Sequence, residues 1–375
     1  MTHEKILFVC TQMEAGGVQR RSTAMSEAFN VKGIPSRVVF LYRKRGAYDG
    51  LDFCHSLLMG KPKGLLDVLK VLWRLARDIR QFKPTAVVGM AHYSSPIAAI
   101  AAFALGVPNR IATQTNPPAT VPLIGRILDY ACGVVGLYTS NICASHSIES
   151  DFSGHPKCYR RTLTTVVNGV GDLPPPSTEL NRKSLRAKLG LDERSIVIVN
   201  CGRLSSQKNQ ALLVDCIKHI DAHLVIIGEG ELRSDIEARI IRLGVRDKVT
   251  LVGEVAPSEI NSYLSVGDIF AFPSNFEAFG LAAVEAMRSG LPIVSSNHPA
   301  LAEVVGDSGV LIDPRDETRW ISELNSLAVD NSRRSELADK SRSRAKHFSF
   351  ERMLDGFLFE STKNSPATPT SNGKL

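Results

Sequence analysis

No apolar run in these 375 residues reaches the roughly 18–20 positions that a helix needs to cross a bilayer. The opening MTHEKILFVCTQ has no basic stretch followed by a long apolar core and a small-residue cleavage site. It therefore reads as a first buried strand over Lys5–Thr11, not as a secretion signal, and a cytoplasmic protein is expected. Cysteines are too few and too irregularly spaced for a disulfide framework or a zinc site. There are seven, at Cys10, Cys54, Cys132, Cys143, Cys158, Cys201 and Cys216, and several fall in apolar runs, which points to buried thiols in a reducing compartment. Nowhere do basic and aromatic side chains interleave as in a nucleic-acid reader, so no nucleic-acid partner is expected. A net charge of +7 still favours acidic partners, which leaves phosphate-bearing small molecules and anionic membranes.

Hydrophobic residues at 43% and charged residues at 22% describe a globular chain, and its length suits two domains of about 150–200 residues. Strand–helix alternation occurs twice. In the first half, branched apolar runs at 6–10, 37–41, 86–90, 110–113, 141–144 and 163–167 predict strands, with helices over 18–30, 65–82 and 95–105. The second half predicts strands at 196–201, 223–227, 249–252, 269–272, 292–296 and 310–312. Helices are expected there over 207–220, 231–243, 258–266 and 281–289. Between the halves, Asn168-Gly169, Gly171-Asp172 and Pro174-Pro175-Pro176 suit a linker. The expected domains are 1–170 and 171–349, each a doubly wound parallel sheet, facing each other across a central cleft. Ligands of such sheets bind at the carboxyl ends of strands. From Thr362 the polar, Pro/Ser-rich sequence predicts a disordered tail.

Four loops fall at such strand ends. Gly16-Gly17 precedes a helix and permits close backbone approach, although an ordinary tight turn reads the same way. Arg203 and Lys208 lie between a strand and a helix start, where two cations suit a bound phosphate better than they suit each other. Gly228-Glu229-Gly230 begins like a dinucleotide fingerprint, but Arg233 stands where its third glycine belongs. The fourth stretch, FEAFGLAAVEAMRSGLP, holds Glu277 in the loop and Glu285 in the next helix. Between them, the amides of Phe279, Gly280 and Leu281 stand at a helix N-terminus that suits an anion. Two carboxylates flanking an anion site match the ribose–diphosphate–hexose layout of a nucleotide sugar. The plainer reading makes Glu285 a capping acid.

The stretch PSNFEAFGLAAVEAMRSGLPIVSSN resembles the signature of family 4 of the retaining glycosyltransferases of the GT-B fold, with two glutamates separated by seven residues. Gly16-Gly17, Val167-Asn168-Gly169-Val170, Gly202-Arg203-Leu204, Lys208-Asn209, Gly228-Glu229-Gly230 and Glu303 extend the likeness over most of the chain. The resemblance implies an α/β enzyme whose first domain takes the acceptor and whose second binds the donor. A last helix, 350–361, returns to the first domain. It further implies that Arg203 and Lys208 hold the diphosphate, that Glu285 takes the ribose hydroxyls and that Glu277 contacts the transferred sugar. Gly17, Gly228, Glu229 and the Ala278–Leu281 loop complete the donor site, with the base near Val252. Same-face transfer of this kind requires no metal or other cofactor, and no Asp-x-Asp pair occurs.

One departure bears on the sugar. Relatives place a histidine in the loop that here reads TQTNPP, and the expected substitutes are Gln114, Asn116 or His92. The acceptor is expected to be a glycan or lipid-linked glycan of polysaccharide or lipopolysaccharide synthesis. Residues 65–82 combine apolar helical spacing with Lys70, Arg74, Arg77 and Arg80. Such a helix packs on the sheet, or lies on an anionic membrane at the inner face; Arg43-Lys44-Arg45 adds charge on that side. The competing readings are a non-catalytic GT-B binding protein and, without its third glycine, a dehydrogenase.

Overall fold

A computed structural model describes residues 4–14, 16–171 and 179–365 and divides the chain into two compact units. The first is Met1–Val167 with Met353–Leu375, the second Asn168–Arg352, so the boundary falls inside the Val167-Asn168-Gly169 punctuation. The proline run and Ala15 lie outside the described residues.

The first unit runs β1 (Ile6–Met13), α1 (Gly17–Val31), β2 (Ser36–Arg43), β3 (Cys54–Ser56), α2 (Leu65–Phe82), β4 (Ala86–Gly89), α3 (Ser94–Ala104) and β5 (Asn109–Gln114). It continues through α4 (Leu123–Val134), β6 (Ser140–Cys143), α5 (His146–Asp151), α6 (Lys157–Arg160) and β7 (Leu163–Thr165). The seven strands pair in parallel in the order β3-β2-β1-β4-β5-β6-β7. The inner strands, buried on both faces, read as continuous apolar runs, which is how the sequence located them, whereas β3 has no such run. Right-handed crossovers put α1 on one face and α2, α3 and α4 on the other, with α3 packed between α2 and α4. The core on that face joins Leu7, Val9 and Val39 to Val71, Leu75 and Ile79 of α2.

The second unit runs α7 (Glu179–Lys188), β8 (Val197–Cys201), α8 (Gln210–Ile217), β9 (His223–Ile227), α9 (Arg233–Leu243), β10 (Val249–Gly253) and α10 (Ile260–Leu264). Then follow β11 (Ile269–Phe272), α11 (Leu281–Arg288), β12 (Ile293–Ser296), α12 (Pro299–Val305), β13 (Gly309–Ile312), α13 (Glu317–Val329) and α14 (Asn331–Ala345). The sheet is again parallel, in the order β10-β9-β8-β11-β12-β13. Trp320 of α13 is fully buried among Leu324, Leu327 and the apolar face of α8.

α15 (Phe350–Thr362) closes the chain. Its Met353, Leu354 and Phe357 are buried, and the Arg21 guanidinium of α1 lies 5.9 Å from the Phe357 ring centre. The disordered tail expected from Thr362 is not found over 362–365. Thr362 ends α15, the Asn364 amide donates to Asn109 Oδ1 at 3.0 Å, and Asn109 Nδ2 donates to Ser365 Oγ at 3.2 Å. Residues 366–375 lie outside those described. Among the described residues, no helix is long and apolar enough to cross a membrane. Cys10, Cys54, Cys132, Cys143 and Cys216 are buried, while Cys158 and Cys201 are half-buried.

Candidate donor site and a second polar cluster

In the second unit, β8 has β9 on one side and β11 on the other. The chain winds outward from β8 through β9 to β10, then crosses back to β11, so the strand order reverses between β8 and β11. That reversal opens a crevice at the carboxyl ends of these two strands, where α/β sheets hold their ligands. The loops that follow them are 202–209 and 273–280, which carry six of the residues singled out from the sequence: Arg203, Lys208, Glu277, Ala278, Phe279 and Gly280.

The two loops are tied together. The Asn275 amide donates to the Gln207 carbonyl at 2.8 Å, Asn275 Nδ2 to the Ser206 carbonyl at 2.8 Å, and Gln207 Nε2 to the Phe276 carbonyl at 3.1 Å. Lys208 and Glu277 meet in this frame as an ion pair, with Lys208 Nζ against Glu277 Oε1. Glu277 is 7% exposed. The ammonium also stands 5.0 Å from the Phe272 ring centre, and its stem runs along Gly202, where a side chain would touch it. Lys208 has three N–H donors and Glu277 accepts from one, so the cation is held in position with further donors in reserve. Arg203 lies in the same loop but is exposed. Neither base is helical, because α8 starts at Gln210, after Asn209 in the left-handed region at φ 52°.

Gly280 forms the N-cap of α11 at φ 100°, a conformation that favours glycine. The cap has no side-chain hydrogen bond, and no acid lies in the first turn. An α-helix leaves its first amides without intrahelical partners, so this end presents N–H donors and the positive end of the helix dipole. The Phe279 ring is buried edge-on against Phe348, with centroids 5.4 Å apart, and anchors the turn while Ala278 and Leu281 stay half-buried. Glu285 is not a capping acid. It lies beyond the first turn and is 5% exposed. Both glutamates are thus withdrawn from bulk water on either side of an uncapped helix start.

The Gly228–Gly230 loop has a different reason for its glycines. A Cβ on Gly228 would sit 2.1 Å from the Gly202 carbonyl oxygen, and one on Gly230 would sit 2.3 Å from that of Leu204. The Gly228 amide donates to the Gly253 carbonyl at 2.8 Å. These glycines let three protein loops pack backbone to backbone, so the expected close approach is made by the chain itself. Arg233, in the third-glycine position, pairs with Glu229 at 2.7 Å and with Glu237 at 2.8 Å. Val252 occupies a break in register between β10 and β9.

The first unit holds a separate cluster, which sequence reasoning saw only in part. Gln114, at the end of β5, was expected to meet a sugar. Its amide instead donates to Asp129 Oδ1 at 3.0 Å, Asn141 Oδ1 at 3.1 Å and the Tyr159 hydroxyl at 3.3 Å. Tyr138 and Tyr159 donate to the same buried Asp129, at 3.1 and 2.5 Å. Burial pushes the Asp129 carboxyl pKa up, against these three donors that pull it down. A cavity of about 350 Å³ lies over this network, with His92, Gln114, Asp129 and His155 on its polar side and Leu123 and Ile127 among its apolar walls. Burial holds the pKa of both imidazoles below the ordinary value, with Asp129 acting in the opposite sense. Asn116 is half-buried in the loop after β5. Gly17 opens α1 behind the extended Gly16. Nearby, Lys44 pairs with Glu14 at 2.7 Å and Arg43 with Asp49, so these two bases are already matched. Asp129, Tyr138, Asn141, Tyr159 and His155 were not singled out from the sequence; Asp129 alone had a signal, as an acid inside an otherwise apolar run. Among the described residues, no group of three or more His, Cys, Asp or Glu side chains is placed to hold a metal.

Residues 181–344, most of the second unit, match the family described as "Glycosyl transferases group 1". The D-inositol 3-phosphate glycosyltransferase of Xylanimonas cellulosilytica is 34% identical over 206 residues, 52% of this chain and 49% of that protein. The alpha-monoglucosyldiacylglycerol synthase of Streptococcus pneumoniae is 31% identical over 172 residues, 44% of this chain and 39% of that one. The chain thus spans about half the length, or less, of these curated relatives. Among solved structures, HepE of Anabaena in complex with UDP and glucose superposes with a TM-score of 0.84 at 19% identity, over 96% of this chain and 100% of that one. That likeness concerns the fold, which is GT-B.

Proposed function

We propose that this chain, whose residues 181–344 match the glycosyl transferases group 1 family, is a retaining hexosyltransferase that uses a nucleotide-diphosphate sugar. UDP-sugar is the favoured donor and GDP-sugar the second choice. The acceptor is a glycan or lipid-linked glycan of polysaccharide or lipopolysaccharide synthesis. The observation that carries the reading is the buried pair of acids, Glu277 and Glu285, around the uncapped start of α11 with Lys208 fixed between loops.

Each part has a role in that chemistry. Lys208, Arg203 and the amides from Ala278 to Leu281 receive the diphosphate. Glu285 accepts hydrogen bonds from ribose hydroxyls and Glu277 from hydroxyls of the transferred sugar, while Val252 borders the base. In the transfer, the bond from the anomeric carbon to the diphosphate oxygen breaks. The acceptor oxygen bonds to that carbon on the same face, and its proton passes to the departing phosphate. Negative charge grows on the phosphate as the bond lengthens, and one well-placed donor there is worth about 3 kcal/mol. No metal or organic cofactor is part of this proposal. The HepE complex supports UDP as the first nucleotide to try, and the S. pneumoniae relative supports a lipid acceptor.

The test is nucleoside diphosphate release across a panel of UDP- and GDP-sugars, with the anomeric configuration of the product read by NMR. Turnover that falls in Glu285→Ala and Lys208→Ala supports the site. Turnover untouched by both defeats the residue assignment, and an inverted product defeats the mechanism. Nucleotide-sugar binding without turnover, with any donor or acceptor, would favour the non-catalytic reading, to which the commitment of Gln114 to Asp129 lends some weight.

A further inference from the structure

Two helices of the first unit carry more apolar surface than their packing uses. At 3.6 residues per turn, Val71, Leu75, Ile79 and Phe82 of α2 form one stripe, and all four are buried against the sheet. Leu65, Leu66, Leu69 and Trp73 form a second stripe, about 100° wide, on another side of the helix. These four are 52–75% exposed. The sequence posed sheet packing and membrane contact as alternatives for this helix; the structure buries one stripe on the sheet and leaves the second exposed. α4 is inverted outright. It turns Gly125, Asp129, Cys132 and Gly133 inward and leaves Leu123, Ile124, Ile127 and Leu128 40–69% exposed. The inward glycine is required, since a Cβ on Gly133 would lie 2.1 Å from the Tyr159 ring. α2 and α4 flank α3 on the same face of the sheet, and both begin on the side where its strands end. Leu123 and Ile127 also wall the cavity above Asp129, so the outer apolar surface runs into its mouth.

We propose that this face docks on a bilayer containing anionic phospholipid, with the α4 stripe and the α2 stripe inserted among the acyl chains. Charge selects the occupant. Residues 61–83 hold seven Lys and Arg against two Asp, a net +5, while the whole chain carries +7. Lys61, Lys63 and Arg80 are exposed beside the apolar stripe. An apolar face ringed by bases and carrying an exposed tryptophan has the make-up of an interfacial anchor; a face made for a second copy of itself would meet its own positive charge. Docking this way sets the cavity rim at the lipid surface, where the headgroup of a lipid-linked acceptor stands. The inference therefore deepens the proposed acceptor, but it holds or fails independently of transfer.

The chain contains two tryptophans, and Trp320 is fully buried in the other unit, so Trp73 reports docking directly. Added to phosphatidylcholine vesicles with phosphatidylglycerol, the full chain is expected to co-sediment, with Trp73 emission shifting blue and quenched by brominated lipid. High salt or omission of phosphatidylglycerol lowers the partition. Each base near the surface contributes about five-fold, so Lys61→Ala/Lys63→Ala loses about 25-fold. Leu66→Glu/Ile124→Glu abolishes partition; both sites are exposed, and unchanged circular dichroism shows that the fold is kept. No partition of the native chain, or partition indifferent to both double variants, overturns the proposal. So does a dimer in sedimentation velocity that Ile124→Glu dissolves, which would make the face an interface between copies. Loss of transfer in Glu285→Ala with partition unchanged separates the two proposals.

Discussion

Removing one member of the Lys208–Glu277 pair tests whether the two loops at the β8/β11 crevice are preset around charge. The side chains are 17% and 9% exposed, so each charge is largely out of water. Breaking a buried pair by deleting one partner costs about 3–5 kcal/mol, because the other charge is left uncompensated. Residual access of water to Lys208 brings the expectation for Lys208→Met to about 2–3 kcal/mol, with loss of the Phe272 contact contributing about 0.5–1 of it. Methionine keeps the stem that packs along Gly202. Replacing both partners by neutral groups of similar shape is often close to neutral, so Lys208→Met/Glu277→Gln is expected within about 1 kcal/mol of the native chain. The cycle is measured by urea unfolding in a Trp73→Phe background, where the remaining Trp320 reports the second unit alone. UDP titration calorimetry adds the functional arm. A charge-assisted contact to diphosphate is worth about 1.5–3 kcal/mol, so UDP affinity falls about 10–150-fold in Lys208→Met. It stays low in the double variant even though stability returns. Equal loss of stability in the single and double variants would refute the coupling, and undiminished UDP affinity would refute the role of Lys208.

Gly230→Ala drives a Cβ to 2.3 Å from the Leu204 carbonyl oxygen, and its backbone neighbours cannot rotate away; the second unit is expected to lose about 1–3 kcal/mol in urea unfolding read by Trp320. His92 and His155 have folded pKa values below the 6.5 of an unperturbed imidazole, so their contribution is present above that pH and is lost as pH falls through the folded values. The first unit should weaken on acidification below 6.5, and His92→Gln/His155→Gln should flatten that slope in urea midpoints read by Trp73. Asp129 has the opposite sign. Its carboxyl pKa is raised above 3.8, so its contribution is full below 3.8 and is lost as pH rises through the folded value. Asp129→Asn should therefore gain on the native chain as pH rises across that window, and a constant difference between the two would contradict the raised pKa.

The strands were legible because burial on both faces of a parallel sheet leaves no other pattern for them than a short branched apolar run. His223–Ile227 and Ile269–Phe272 were read to the residue. β3 was missed because its three residues, Cys-His-Ser, have no such run. α14 was missed because it is polar nearly throughout, with only Leu337, Ala338, Ser341 and Ala345 buried. The helix expected over 258–266 is a short α10 preceded by a 3-10 turn. That Glu277, Glu285 and Lys208 fall in loops or a helix after strand ends was legible in the sequence, and the structure buries both acids. Their mutual arrangement was not, since the Lys208–Glu277 contact spans 69 positions in sequence.

α4 shows most sharply why the rest stayed hidden. Helical periodicity assigns the apolar stripe to the inside, and on α4 that assignment would have placed Leu123, Ile124, Ile127 and Leu128 in the core. The inside was already taken by Asp129, whose carboxylate needs the Gln114, Tyr138 and Tyr159 donors within reach, and by a Tyr159 ring that tolerates only glycine at position 133. A buried acid held by three donors fixes the rotation of the helix that carries it, because turning it outward would leave those donors unmatched. The apolar stripe then faces outward as a consequence of the polar one facing in. The sequence holds both stripes, but which of them a helix buries is decided by partners from β5, β6 and α6. Asp129→Leu, apolar and close in volume, should for this reason not improve the core. It would leave the Tyr138 and Tyr159 hydroxyls without their acceptor, at about 1–3 kcal/mol for each that water does not reach, while the Gln114 amide keeps Asn141 Oδ1. Urea unfolding of the first unit, read by Trp73, checks this, and a stabilised Asp129→Leu would show that hydrophobic periodicity, not the polar network, orients α4.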